Sequence, residues 1–152
     1  MPTRFTCRQA TASDAEAIAA VFSPSFRLLT FLPILHTVEE DRGFIAGVIL
    51  KQCEVTVAES AGRIASFLAH DGEEIRLLHT RPDFIGLGAG RLLLDGAKAS
   101  ATALELWCFQ ANTGARRFYE RHGFRAIRFT DGRDNEEKTP DVRYRWQRPG
   151  QD

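Results

Sequence analysis

Charge of one sign is what this chain most plainly lacks. Its 152 residues carry 20 Lys+Arg and 20 Asp+Glu, for a formal net charge of +0. No overall field draws it to nucleic acid or to an anionic membrane, so any cationic site must be local. Long apolar runs are missing too. None reaches the ~18 residues that a membrane span needs, and no basic region followed by an apolar stretch opens the chain, so no secretory signal is expected. Cysteine is scarce. Cys7, Cys53 and Cys108 are odd in number and far apart, form no Cys-x-x-Cys, and have no histidine at metal-ligand spacing. We read them as reduced, mostly buried thiols of a cytoplasmic protein without a metal. Repeats, low-complexity tracts and interdomain linkers are absent as well.

What is present fits an ordinary globular chain, with 43% hydrophobic and 26% charged residues. The length suits one domain over 1–152 with a real core. Strand patterns fall at 4–10, 54–60, 63–70, 73–80, 104–109, 124–129 and 142–147, with turn signals at Ala61-Gly62 and Asp71-Gly72. A short helix is expected over 15–22, closed by Pro24. Thr37-Val38-Glu39-Glu40 fits a capping box opening a helix to about Leu50, with Phe44, Ile45, Val48 and Ile49 inward. A third helix follows the glycines near 88, and a fourth runs from Asn112 to His122 and stops at Gly123. The fold class is therefore α/β in the α+β sense: one mixed, mostly antiparallel sheet of about seven strands flanked by about four helices. Tyr144 and Trp146 on the last strand are open between core and a homodimer contact.

The glycine segment is Arg81-Pro82-Asp83-Phe84-Ile85-Gly86-Leu87-Gly88-Ala89-Gly90-Arg91. It reads as strand, tight turn, helix. Such a turn presents bare N–H groups at the positive end of a helix, a ready phosphate site. A nucleotide P-loop needs Lys-Ser/Thr after the last glycine, and a dinucleotide fold needs Gly-x-Gly-x-x-Gly; both patterns fail here. The plain alternative is a turn that binds nothing.

A second segment decides the matter. Leu106 to Phe109 reads as a strand, and Asn112, Ala115, Phe118, Tyr119, Glu120, Gly123 and Phe124 then fall in the pattern Asn-x-x-Ala-x-x-Phe-Tyr-Glu-x-x-Gly-Phe. Together with Gly86-x-Gly88-x-Gly90 upstream, this resembles the GNAT superfamily of N-acetyltransferases over nearly the whole chain. Ile85 departs from the Gln or Arg usual at the first position of the glycine loop.

The resemblance implies acetyl-CoA as cosubstrate and a small-molecule or peptide amine as acceptor. It implies that Ile85, Gly86, Leu87, Gly88, Ala89, Gly90 and Arg91 cradle the pyrophosphate. Leu78-His79-Thr80 would pair with the pantetheine arm, chiefly through Leu78 and Thr80, and a backbone N–H there would polarise the thioester carbonyl. Asn112 would hydrogen-bond the pantetheine or phosphate part. Tyr119, seven residues on and so on the same helical face, would protonate the departing sulfur, because a phenol near ~10 is still protonated where a thiol near ~8.5 is leaving. The plain readings are an N-cap for Asn112 and a half-buried aromatic for Tyr119. Glu74, four residues before Leu78, is the candidate base. Strand alternation puts it on the side of Leu78 and Thr80, and the plain reading is a solvated glutamate. His79, on the other face, is expected to be structural, and one of Arg116, Arg117 and Arg121 to touch a phosphate. The apolar 26–35 stretch is either core or a wall over the acceptor, and the acidic 131–141 loop either mobile or a cation-attracting lip. A CoA-binding sensor or scaffold without turnover is the competing function. Balanced charge disfavours a nucleic-acid module.

Overall fold

The computed structural model describes residues 4–150. Seven strands build one sheet: β1 (Thr6–Gln9), β2 (Glu54–Ser60), β3 (Arg63–Asp71), β4 (Glu74–Thr80), β5 (Ala103–Phe109), β6 (Arg125–Thr130) and β7 (Asp141–Gln147), in the order β1-β2-β3-β4-β5-β7-β6. Every neighbouring pair is antiparallel except β4 and β5. Helix α1 (Ala15–Arg27) and helix α2 (Val38–Phe44) cover one face. α2 runs on through a π-helical turn (Ile45–Ile49) into a last turn (Leu50–Gln52). Helices α3 (Ala89–Ala99) and α4 (Thr113–Arg121) cover the other. This is the mixed sheet with four helices that the strand and cap signals imply.

Each face has its own core. Ile18, Val21, Ile45, Ile49, Val57 and Phe67 pack on the α1–α2 side, and Leu68, Leu94, Leu104, Leu106, Phe124 and Tyr144 on the α3–α4 side. Tyr144 is 0% and Trp146 8% exposed, so both belong to the core, which removes the residues on which a dimer contact rested. The capping box forms as spelled: Glu40 N–H donates to Thr37 Oγ1 at 3.0 Å and Thr37 N–H to Glu40 Oε1 at 2.9 Å. Among the described residues, no helix is long and apolar enough to cross a membrane.

Three expectations need correction. Pro24 does not close α1, which continues to Arg27. A proline costs the helix one hydrogen bond, but the turn beyond it is tied from outside. Arg27 donates to Asp41 at 2.7 Å and to the His36 carbonyl at 2.8 Å, and the Ser23 hydroxyl donates to the same Asp41 carboxylate at 2.7 Å. Cys7 is exposed and Cys53 half-buried; only Cys108 is a buried thiol. The 131–141 loop is not merely a solvated loop. Asn135 bridges Thr139 and Asp141, and Gly132 (φ +83°) turns so tightly that a Cβ there would fall 2.2 Å from the Thr139 carbonyl.

Asp41 is only 7% exposed, so removing its cation strands a buried carboxylate. Arg27→Met should lower unfolding free energy by about 2 kcal/mol. Urea denaturation checks this, and an unchanged midpoint would mean the helix extension is held by something else.

Candidate active site

The site begins where the sheet opens. β4 and β5 run parallel and share a single register pair, Glu74↔Glu105, with Glu105 N–H donating to the Glu73 carbonyl at 2.8 Å. Beyond that vertex their ladder stops, leaving a wedge between the strands. Two glutamates facing each other across adjacent strands repel. Arg143 on β7 resolves this, donating to both Glu74 oxygens (2.6 and 2.9 Å) and to Glu105 (2.9 Å). Arg145 adds a bond to Glu105 at 2.5 Å. Burial pushes the Glu105 carboxyl up, but the hydrogen bonds from Arg145 and Arg143 bring it below its ordinary range.

On the α3–α4 side of β4 lies a groove of about 470 Å³. It gathers Leu78, Thr80, Ile85, Gly86, Gly88, Ala89, Gly90, Arg91 and Tyr119, most of the residues expected from the sequence. Its floor is the start of α3. Gly88 is the N-cap with φ +96°, a left-handed conformation that glycine adopts without strain. The first helical bond is Leu92 N–H to the Gly88 carbonyl. Among the described residues, the amides of Gly86, Gly88, Ala89, Gly90 and Arg91 have no acceptor within the protein, while Ile85 (ψ 139°) and Gly86 (φ +82°) make a turn that folds the Leu87 amide back toward Phe84. Leu87 itself points away, 47% exposed. Arg91, Arg121 and His122 line the groove and no carboxylate does. The field there suits an anion.

Tyr119 is buried against Phe118, Phe124 and Tyr144, with ring centroids 5.3, 5.5 and 6.2 Å away. Burial, then the nearby Cys108, pushes its phenol above the usual range. Its hydroxyl has no hydrogen-bond partner among the described residues, and the residue lines the groove. Phe84, Ala115, Phe118 and His122 also line it and were not singled out. Ala115 and Phe118 are fixed positions of the helix motif, so their signal was present; Phe84 and His122 gave none. Asn112 is placed differently. Its side chain accepts from Ala115 N–H at 3.2 Å, capping α4, and it does not line the groove.

The alternation argument for Glu74 fails for a visible reason. The β3–β4 register slips between Ala69↔Leu77 and His70↔Ile75, so Arg76 is an extra, bulged residue. The bulge turns Glu74 to the α1–α2 face, opposite Leu78 and Thr80, where Arg143 holds both its oxygens. His79 behaves as expected. Its Nδ1 meets the Ser25 hydroxyl at 3.0 Å, its ring sits among Phe22, Phe26 and Phe67, and burial lowers its pKa to about 4.

A second cavity, about 790 Å³, lies behind β4 on the α1–α2 face. Leu77 borders it while the adjacent Leu78 borders the groove, so one strand separates the two. The 26–35 stretch is not a helix beyond Arg27 and is mostly not core. Leu32 is buried, but Ile34 is 73% and Leu35 45% exposed, and both line this chamber. The acidic loop reaches it as well: Glu136 meets His36 Nε2 at 2.5 Å, and Glu136 and Glu137 stand at its edge. Among the described residues no cluster could hold a metal ion.

Residues 51–126 match the model of the acetyltransferase (GNAT) domain family, half of the chain, and the chain belongs to that family. Solved structures of the same fold include apo YjaB from Escherichia coli, 21% identical with a TM-score of 0.78, covering 94% of this chain and 97% of that one. PaiA N-acetyltransferase from Thermoplasma acidophilum, solved with coenzyme A, is 16% identical with a TM-score of 0.72, covering 95% and 99%. The yncA protein from Salmonella typhimurium, solved with its cofactor acetyl-CoA, is 15% identical with a TM-score of 0.71, covering 95% and 94%. No curated protein matches the chain in sequence.

Arg143→Leu should cost roughly 2 kcal/mol at neutral pH by leaving Glu74 and Glu105 face to face. Arg145 and then Arg143 depress the folded pKa of Glu105, so the share that Arg143 supplies is present above the ordinary carboxylate range near ~4.3 and fades as pH falls through the lower folded value. Thermal melts at pH 7 and pH 3.5 should show the gap between variant and wild type shrinking in acid; a constant gap would refute the charge argument.

Proposed function

We propose that the protein transfers an acetyl group from acetyl-CoA to a primary amine within a direct ternary complex. The observation that carries this reading is the set of five uncommitted amides, on Gly86, Gly88, Ala89, Gly90 and Arg91, whose residues line the same groove as Tyr119. The chemistry of this donor set fits the cosubstrate. Bare amides at a helix start, with Arg91 and Arg121, suit a pyrophosphate. Leu78 and Thr80 offer an open strand edge to the pantetheine arm. When bound, acetyl-CoA supplies an activated thioester. The coenzyme A of PaiA and the acetyl-CoA of yncA, in chains of the same fold, support the assignment.

Tyr119 is the proposed general acid. The amine nitrogen bonds to the acetyl carbon and the carbon–sulfur bond breaks. Its electron pair stays on sulfur, which takes the Tyr119 proton; solvent then restores the phenol. The ammonium first sheds one proton to water, and the nitrogen sheds a second to water as the amide forms. Glu74 is not assigned that role, because Arg143 holds both of its oxygens; it positions the strands at the vertex instead. Asn112 fixes the start of α4, and so the reach of Tyr119, rather than grasping the cosubstrate. The approach of two held reactants supplies much of the acceleration. The free thiols suit a reducing compartment, so the proposed setting is the cytoplasm.

Tyr119→Phe should lower kcat at least ~100-fold while CoA affinity by calorimetry stays within about threefold. An unchanged kcat removes Tyr119 from the chemistry. Acetyl-CoA binding without thiol release across a broad amine panel would favour a sensor or scaffold instead.

A further inference from the structure

We propose that the chamber behind β4 takes a small primary amine carried on an apolar body, its ammonium drawn in by Glu137; this rests on the acetyl-transfer reading above. The volume, about 790 Å³, falls in the range of small-molecule sites. Phe22, Phe26, Phe44, Val48 and Leu77 make an apolar wall. The 28–35 segment leaves large apolar side chains at the opening instead of burying them, which marks a binding surface rather than a core. The π-helical turn after Phe44 carries Val48 into the same wall, and such turns are frequent at functional sites.

Charge narrows the occupant. Four carboxylates line the chamber, Glu40, Asp41, Glu136 and Glu137, against one guanidinium, Arg27, and one imidazole, His36. Most are already engaged. Asp41 holds Arg27 and Ser23, Glu40 accepts from the Thr37 amide, and Glu136 meets His36. The Glu137 side chain has no hydrogen bond or ion pair among the described residues. It is half-buried and also borders the adjoining cavity beside Trp107 and Phe109 on β5. It thus stands on the β5 side of the wedge, with Leu77 on the β4 side. A cation is welcome here and an acid is not, because Arg27 is spent on Asp41 and on the His36 and Ser23 carbonyls. An amino acid would bring a carboxylate with no partner, and a hydrophilic polyamine would waste the apolar wall.

The test compares phenethylamine with putrescine, phenylalanine and a peptide with N-terminal phenylalanine, using the full chain and acetyl-CoA. Phenethylamine should exceed each of the others by at least about tenfold in kcat/KM. Glu137→Gln should raise its KM about tenfold with kcat and CoA affinity unchanged, and should abolish the rise of KM with salt seen in wild type. Preference for any of the other three, or a KM indifferent to Glu137→Gln, overturns the inference. Calorimetry of phenethylamine into the CoA-bound protein separates the two levels. Binding that Glu137→Gln weakens, with no amine acetylated, supports the chamber assignment and sinks the transferase reading. Turnover of other amines with no phenethylamine binding sinks the chamber assignment and leaves the transferase reading standing.

Discussion

Arg143 holds the molecule open by holding it shut at one point. β4 and β5 meet only at Glu74 and Glu105, a like-charged pair that would otherwise push the strands apart. One guanidinium on β7 bonds both carboxylates and lies 5.3 Å from the Trp107 ring. The vertex is thereby pinned from a third strand. Above it the two strands are free to part, and the unpaired edge of β4 becomes available to something other than protein. A sheet that continued its ladder would have no wedge, no groove on one side, and no passage to the chamber on the other.

Net neutrality conceals two opposed local fields. The groove has the α3 N-terminus, Arg91, Arg121 and His122 and no carboxylate; the chamber has four carboxylates and one committed arginine. They stand on opposite faces of β4, with Leu77 and Leu78 marking the two sides. On the proposed reading, an anionic donor and a cationic acceptor are thus sorted to different faces by charge, and meet where the strands separate. Summed over the chain the charges cancel, which is why composition disfavoured a nucleic-acid surface but said nothing of either cavity.

The sequence spelled out local structure well and long-range structure poorly. All seven strands and the capping box at Thr37 are matters of period and cap chemistry, decided within a few residues. The two glycine and helix motifs located the groove because they carry backbone geometry directly. Pro24 misled because its local preference was overruled by Asp41, fourteen residues beyond Arg27, which no helical rule sees. Glu74 misled because alternation counts residues, and one bulged Arg76 reverses the count. Asn112 had two roles available at one position, and its Oδ1 makes the cap hydrogen bond to Ala115. The chamber was only half legible. Its apolar stretch was visible as a run, but its partners, Glu136 and Glu137, lie a hundred residues away in a loop that reads as solvent-facing.

The raised phenol of Tyr119 poses a chemical question that its neighbour answers. A phenol made less acidic is a reluctant donor, and an aqueous thiolate would not take its proton readily. On the proposed reading, though, the leaving sulfur is released beside Leu78, Phe84 and Phe118, which line the groove with Tyr119. Cys108, close enough to Tyr119 to influence it, is a buried thiol, and burial pushes its pKa up to about 12. Desolvation disfavours phenolate and thiolate alike, so a sulfur released against the same apolar side chains would be raised together with the phenol. What remains is the match between the two rather than either value alone. A site that buried the phenol but solvated the sulfur would lose that match, so in the proposed mechanism the apolar surroundings of Tyr119 matter as well as its hydroxyl.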